Sequence, residues 1–151
     1  IVKLSSVGYH NKKKVILVDH NSYEQSVIGL DEAEILEIVD HHNISNIGTT
    51  MPINFRNMPV GSTNTIIYLM YKENNVKITK QIAGMMLSGI LSDTLILNSP
   101  TTTSIDKDAV NNLSRISIFT NLPLTKLFSS ITQSIPFKKY SLKPGEFLTK
   151  S

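Results

Sequence analysis

The sequence contains no cysteine, which removes disulfides, thiolate metal ligands and cysteine nucleophiles in one step. It also has no long apolar run: the longest stretches are four to six residues, against the roughly 20 that a membrane-spanning helix needs. No charged-then-apolar signal opens the chain, so a cytoplasmic location without a membrane partner is expected. Acidic residues are absent from Ala109 to Gly145. Residues 1–75 carry six Lys/Arg against eight Asp/Glu, whereas residues 76–151 carry nine against four. A basic second half can meet an anionic partner, and scattered solvated lysines explain it equally well. No aromatic residues interleave with a basic stripe as a single-strand binder requires, so nucleic acid is not an expected partner.

What is present suits a globular α/β chain. At 151 residues and 40% hydrophobic, the length allows one domain with a core and not comfortably two. Val15-Ile16-Leu17-Val18 reads as a parallel strand buried on both faces, and it delivers Asp19-His20-Asn21 at its end. Ile35-Leu36-Glu37-Ile38-Val39 repeats the pattern and ends in Asp40-His41-His42. In open α/β sheets ligands gather at the carboxyl ends of strands, so these two ends are expected side by side. Ile53-Asn54-Phe55-Arg56 alternates as a half-exposed strand does.

Helices follow. Gly61-Ser62-Thr63 opens one, with Ser62 as N-cap and Ile66, Ile67, Met70 and Tyr71 along one face. Its N-terminus could hold a phosphate, although capping alone also accounts for Ser62. Thr79 caps a second helix whose Ile82, Met85, Met86, Leu87, Ile90 and Leu91 imply deep burial, and whose Ala83, Gly84, Ser88 and Gly89 permit close approach of a neighbour. It ends at Ser92-Asp93-Thr94. A third apolar run, Leu95-Ile96-Leu97, precedes a helix over about Ser104–Ile116. A last helix is read around Leu124–Ile131, with a loop and linker beyond it.

Asp19, Asp40, His41, His42 and Asp93 therefore stand at the ends of apolar elements. A histidine pair by itself is more often ordinary hydrogen-bonded imidazole than a ligand set; the neighbouring acids are what point to metal. Mixed carboxylate and imidazole donors suit Mn²⁺ or Co²⁺ better than Mg²⁺, and such sites serve phosphoryl or hydrolytic chemistry.

Val15–Asn21 (VILVDHN), Val39–His42 (VDHH), Phe55–Thr63 (FRNMPVGST) and Ile82–Leu95 (IAGMMLSGILSDTL) closely resemble the family II inorganic pyrophosphatases of the DHH phosphoesterase superfamily. The similarity runs from about Val15 to Asp108. It implies an α/β fold, a parallel β-sheet with flanking helices, here an incomplete DHH-type N-terminal domain over residues 1–120. Residues 121–151 would be a helix and linker leading towards an absent C-terminal domain. The resemblance makes Asp19 a carboxylate bridging two metals, His41 and Asp93 ligands of one of them, and His42 a catalytic residue facing the phosphate. Asp40 would support its neighbours by hydrogen bonds. His20 matches a position that is not a ligand, and His10 has no counterpart.

The implied reaction is two-metal hydrolysis of pyrophosphate to two phosphates, with Mn²⁺ or Co²⁺ resident and Mg²⁺ accompanying the substrate. A homodimer of the full-length protein is compatible with that family. The family's opening motif, a histidine and two aspartates supplying the other metal, does not precede Asp19, and the C-terminal lysines and arginine have no clear match. The chain opens without an initiator methionine and looks cut from something longer, so little turnover is expected of it alone. Two other readings are a DHH-type phosphodiesterase for oligonucleotides or cyclic dinucleotides, and a non-catalytic remnant that binds metal or a partner. Asp19-His20-Asn21, Gly61-Ser62-Thr63 and Ser99-Pro100-Thr101 favour the pyrophosphatase branch.

Overall fold

A computed structural model describes residues 12–117 together with the isolated positions 123, 126 and 129. The expectations for the first residues, for His10, and for the helix and linker after about residue 120 lie outside that range. Three strands, β1 (Lys14–Val18), β2 (Glu34–Asp40) and β3 (Asn54–Asn57), form a parallel sheet in that order. Three helices follow: α1 (Thr63–Glu73), α2 (Lys80–Asp93) and α3 (Ser104–Ile116).

The two faces of the sheet are treated differently. Leu17, Ile35 and Ile38 pack with Leu30 from the β1–β2 connection, flanked by Ile47 and Ile53. On the other face Val39 meets Val60 and Ile66, so α1 lies over β2. A third cluster, centred on Leu87, Ile90, Leu91, Val110 and Leu113, joins α1, α2 and α3. The small residues of α2 act as expected: a Cβ on Gly89 would collide with the Asn64 side chain of α1. Arg56 of β3 and Glu73 at the end of α1 form a two-pronged ion pair at 2.5 and 2.6 Å.

Two expectations are corrected. β1 is not buried on both faces, since Ile16 and Val18 are 56% and 47% exposed. It is one of the two edge strands of the described sheet, and α1 reaches over β2 rather than over it. Met85 is 68% exposed; the buried set of α2, residues 83, 84, 86, 87, 90 and 91, recurs at helical spacing and leaves Met85 on the outer side. The third apolar run, Leu95-Ile96-Leu97, whose conformation the sequence leaves open, is a turn. All three have positive φ, 49°, 57° and 64°, a left-handed turn that costs non-glycine residues roughly 1–2 kcal/mol each. Thr94 at its base, fully buried, accepts Leu97 N–H at its hydroxyl and Ser99 N–H at its carbonyl.

The turn sends the chain back to α3, whose start is held by a capping box between Thr103 and Asp106. Asp106 is completely buried. Its Oδ1 accepts from Thr65 Oγ1 at 2.6 Å, and its Oδ2 from Thr103 N, Thr103 Oγ1 and Gly61 N at 2.7–2.8 Å. Burial pushes its pKa up. The hydrogen bonds from Thr65, Thr103 and Gly61 together more than offset that and hold it below the ordinary carboxylate value.

Two stability experiments test this packing. Leu87→Ala, at a fully buried position, should lower unfolding free energy by about 2–5 kcal/mol, while Met85→Ala should stay within about 0.5 kcal/mol; urea unfolding compares them. A depressed folded-state pKa contributes stability above the unfolded value, about 3.9, and loses it as pH falls through the folded one. The stability gap between the wild type and Asp106→Asn should therefore be widest near neutrality and narrow progressively below about pH 4. A gap constant with pH would show that folding leaves the Asp106 pKa unchanged, and a gap that shrinks as pH rises above about 4 would show that the fold holds its neutral form.

Candidate metal centre

The parallel pairing places the sequence motifs. Val18 is paired with Val39, and Asp19 N–H donates to Val39 O at 3.0 Å as the last rung. Beyond it Asp19 takes φ 68°, a left-handed conformation that aspartate tolerates better than most residues. Its carboxylate and the Asp40-His41-His42 segment come off adjacent strand ends. One ligand atom from each of Asp19, His41 and His42 lies within 4.8 Å of the others.

Hydrogen bonds fix which imidazole nitrogens are available. His41 Nδ1 lies 2.9 Å from Val60 O. A carbonyl only accepts, so Nδ1 carries a proton, and in the neutral ring Nε2 keeps its lone pair. His42 Nδ1 lies 2.7 Å from Asp40 Oδ1, which gives the same tautomer for the neutral ring. His41 Nε2 faces Asp19 Oδ1 at 3.6 Å, too far for a hydrogen bond. Two lone-pair atoms opposed in this way are stabilised by a cation, and two imidazoles with one carboxylate fit a Mn²⁺-type ion.

Asp40 is fully buried and holds this arrangement from behind. Oδ1 accepts from the backbone N–H of His41 (2.7 Å) and of His42 (3.2 Å) as well as from the His42 ring. Oδ2 accepts from Asn21 Nδ2 at 2.5 Å. Burial raises its pKa, and the His42 ring, the Asn21 amide and the two backbone N–H groups outweigh burial and leave it lowered. Asn21 in turn donates to Asn43 O and accepts from Ser45 N, pinning the loop after His42.

Asp93 is not part of the group of three. It closes α2, and its Oδ2 accepts from Ser62 Oγ at 2.6 Å. The neighbouring Thr63 Oγ1 donates to Asp19 Oδ1 at 2.7 Å, so consecutive hydroxyls at the start of α1 hold both carboxylates. His42, read from the sequence as facing phosphate, is gathered here with Asp19 and His41 as a potential donor. His20 uses both ring nitrogens elsewhere, near Val18 O and Ser26 Oγ, and offers neither to the group.

Sequence reasoning missed the roles of Asn21 and the Val60 carbonyl, and it read the Ser62-Thr63 helix start as a cap or a place for phosphate, not as the holder of two carboxylates. Ser62 does cap α1, accepting from Asn64 N. Its contact with Asp93 spans 31 residues and leaves no periodic trace. Adjacent hydroxyls at Ser62-Thr63 were the one available signal.

The model of the DHH family, N-terminal domain, matches residues 3–90. The manganese-dependent inorganic pyrophosphatase of Bacillus subtilis (strain 168) is 53% identical over 102 residues, 68% of this chain and 33% of that protein. The crystal structure of a candidate family II inorganic pyrophosphatase from Methanococcus jannaschii superposes with a TM-score of 0.72 at 35% identity, covering 79% of this chain and 40% of that one. The chain spans about a third of the length of the curated relatives it matches. With adjacent parallel strand ends presenting Asp19 and the Asp40-His41-His42 triplet, it belongs to the DHH family.

Proposed function

We propose that the protein hydrolyses inorganic pyrophosphate to two phosphates at a manganese centre built partly from Asp19, His41, His42 and Asp93. The observation that carries this reading is the convergence of Asp19, His41 and His42 with both Nδ1 protons already committed. The names of the similar proteins support it. Asp19, His41 and Asp93 are assigned to metal, with Co²⁺ an alternative to Mn²⁺ and Mg²⁺ arriving with the substrate. When bound, divalent cations supply acidification of an attacking water and neutralisation of charge on phosphate oxygens.

The chain's own groups divide the remaining work. Thr63 and Ser62 orient the two carboxylates through single hydrogen bonds. Asp40 locks the His42 ring, whose side chain is half exposed. Neutral His42 can offer Nε2 to a cation, whereas protonated His42 can donate from Nε2 to a phosphate oxygen. The same ring thus suits the phosphate-facing role when charged. The domain reading stays with this proposal: residues 1–120 as a partial DHH domain, and 121–151 leading towards a second domain.

The test is turnover by the full-length protein. With Mn²⁺ it should release phosphate from pyrophosphate and leave a linear dinucleotide uncut; the opposite preference would replace this reading with the phosphodiesterase one. Asp19→Ala and His41→Ala should weaken Mn²⁺ binding by at least the roughly 10–100-fold that loss of an outer hydrogen-bond partner costs a metal site. Calorimetric titration of Mn²⁺ measures this independently of turnover.

A further inference from the structure

Val60 O and Gly61 N belong to one peptide unit, and each end of that unit is used. The carbonyl accepts from His41 Nδ1 at 2.9 Å, while the N–H donates to Asp106 Oδ2 at 2.8 Å. No cis peptide bond occurs among the described residues, so this N–H and C=O point in opposite directions from a rigid plane. Gly61 is held tightly enough to exclude a side chain. A Cβ there would stand 2.6 Å from Thr94 Cγ2 and 3.0 Å from Asp106 Oδ2. The next residues, Ser62 and Thr63, hold Asp93 and Asp19.

We propose that Asp106, 45 residues away in sequence from Gly61, is a positioning residue for the metal centre. It fixes the Val60–Gly61 peptide, and that peptide holds His41 in the orientation and tautomer that expose Nε2. Two physical effects act together. A buried carboxylate bound to the N–H locks the peptide plane, so the carbonyl cannot swing away from the imidazole. The negative charge also polarises the peptide, since hydrogen bonds in series strengthen one another in a low-dielectric interior. The carbonyl becomes a better acceptor for Nδ1–H, and electron density on Nε2 rises, as when a carboxylate contacts a ligating imidazole directly. Thr103 donates to the same Asp106 oxygen that takes the Gly61 N–H, whereas Thr65 donates to the other oxygen and lies outside this chain of contacts. The link to metal rests on the reading of Asp19, His41 and His42 as a metal centre; the link to His41 does not.

The experiment has one readout for each link. In the metal-free chain, long-range ¹H–¹⁵N correlation reports the tautomer of His41 directly. The wild type should show a single Nδ1–H form with a slowly exchanging ring proton. Asp106→Ala should mix the tautomers and lose that proton signal. Thr65→Val removes a different hydrogen bond to Asp106 and leaves the Gly61 contact, so it should lower Tm while keeping His41 in the single form. Should Asp106→Ala not fold, Asp106→Asn decides instead. Its uncharged oxygen should let the Gly61 N–H and the His41 Nδ1–H exchange faster together, by about tenfold or more on the weakening expected when a hydrogen bond loses its charge. A His41 ring unchanged in the folded variant overturns the proposal. Mn²⁺ titration of the same proteins should show affinity about tenfold lower in the Asp106 variant than in Thr65→Val. Absence of Mn²⁺ binding by the wild type would overturn the metal reading while the His41 tautomer still decides the role of Asp106.

Discussion

Everything at the candidate centre depends on the register between β1 and β2. Val15 pairs with Ile35 and Ile16 with Glu37, so β2 carries Leu36 as an extra residue. A bulge of this kind re-aims all that follows it. Without it Val18 would sit opposite Ile38 instead of Val39, and Asp19 would leave its strand one residue out of step with Asp40. Because a one-residue slip also sends each side chain to the opposite face, Leu17 and Ile38 would lose their shared cluster with Leu30. The geometry of the centre and the packing of the sheet are therefore set by the same bulge.

Two fully buried aspartates extend that order outward, and neither forms an ion pair with a lysine or arginine among the described residues. Each accepts several N–H or O–H donors, which is how a buried carboxylate remains ionised. Asp40 gathers β2's own continuation, the two histidine N–H groups and the Asn21 amide. Asp106 gathers groups from three places, the start of α3, the start of α1 and the segment before it. One acid stabilises a loop and the other joins helices, yet both end their influence on an imidazole.

Much of this was legible in the sequence, for a physical reason. Apolar runs ending in acid and imidazole report strands and their carboxyl ends, and caps such as Ser62, Thr79 and Thr103 report helix starts. These are local signals, and the three strands and three helices follow from them. What was illegible is of two kinds. Ile16, Val18 and Met85 are as apolar as buried residues, and only the position of β1 at the described edge and the rotation of α2 expose them. Leu95-Ile96-Leu97 is composed like a strand, yet it turns left-handed because buried Thr94 captures the following N–H groups. Asp106 was overlooked for another reason. Its pairing with Thr103 looks like an ordinary cap, whereas its other partners come from residues over 40 positions earlier.

The committed Nδ1 protons of His41 and His42 change what binding costs. A free imidazole must surrender rotational freedom and settle its tautomer when it takes up a ligand, and an ordered side chain at an interface costs roughly 0.5–1.5 kcal/mol. Here Val60 O and Asp40 Oδ1 have already imposed both conditions during folding. The entropy is lost once, when the chain folds, and is shared with hydrogen bonds that the folded state would need in any case. Whatever ligand each ring takes up, its second nitrogen has no conformational choice left to make.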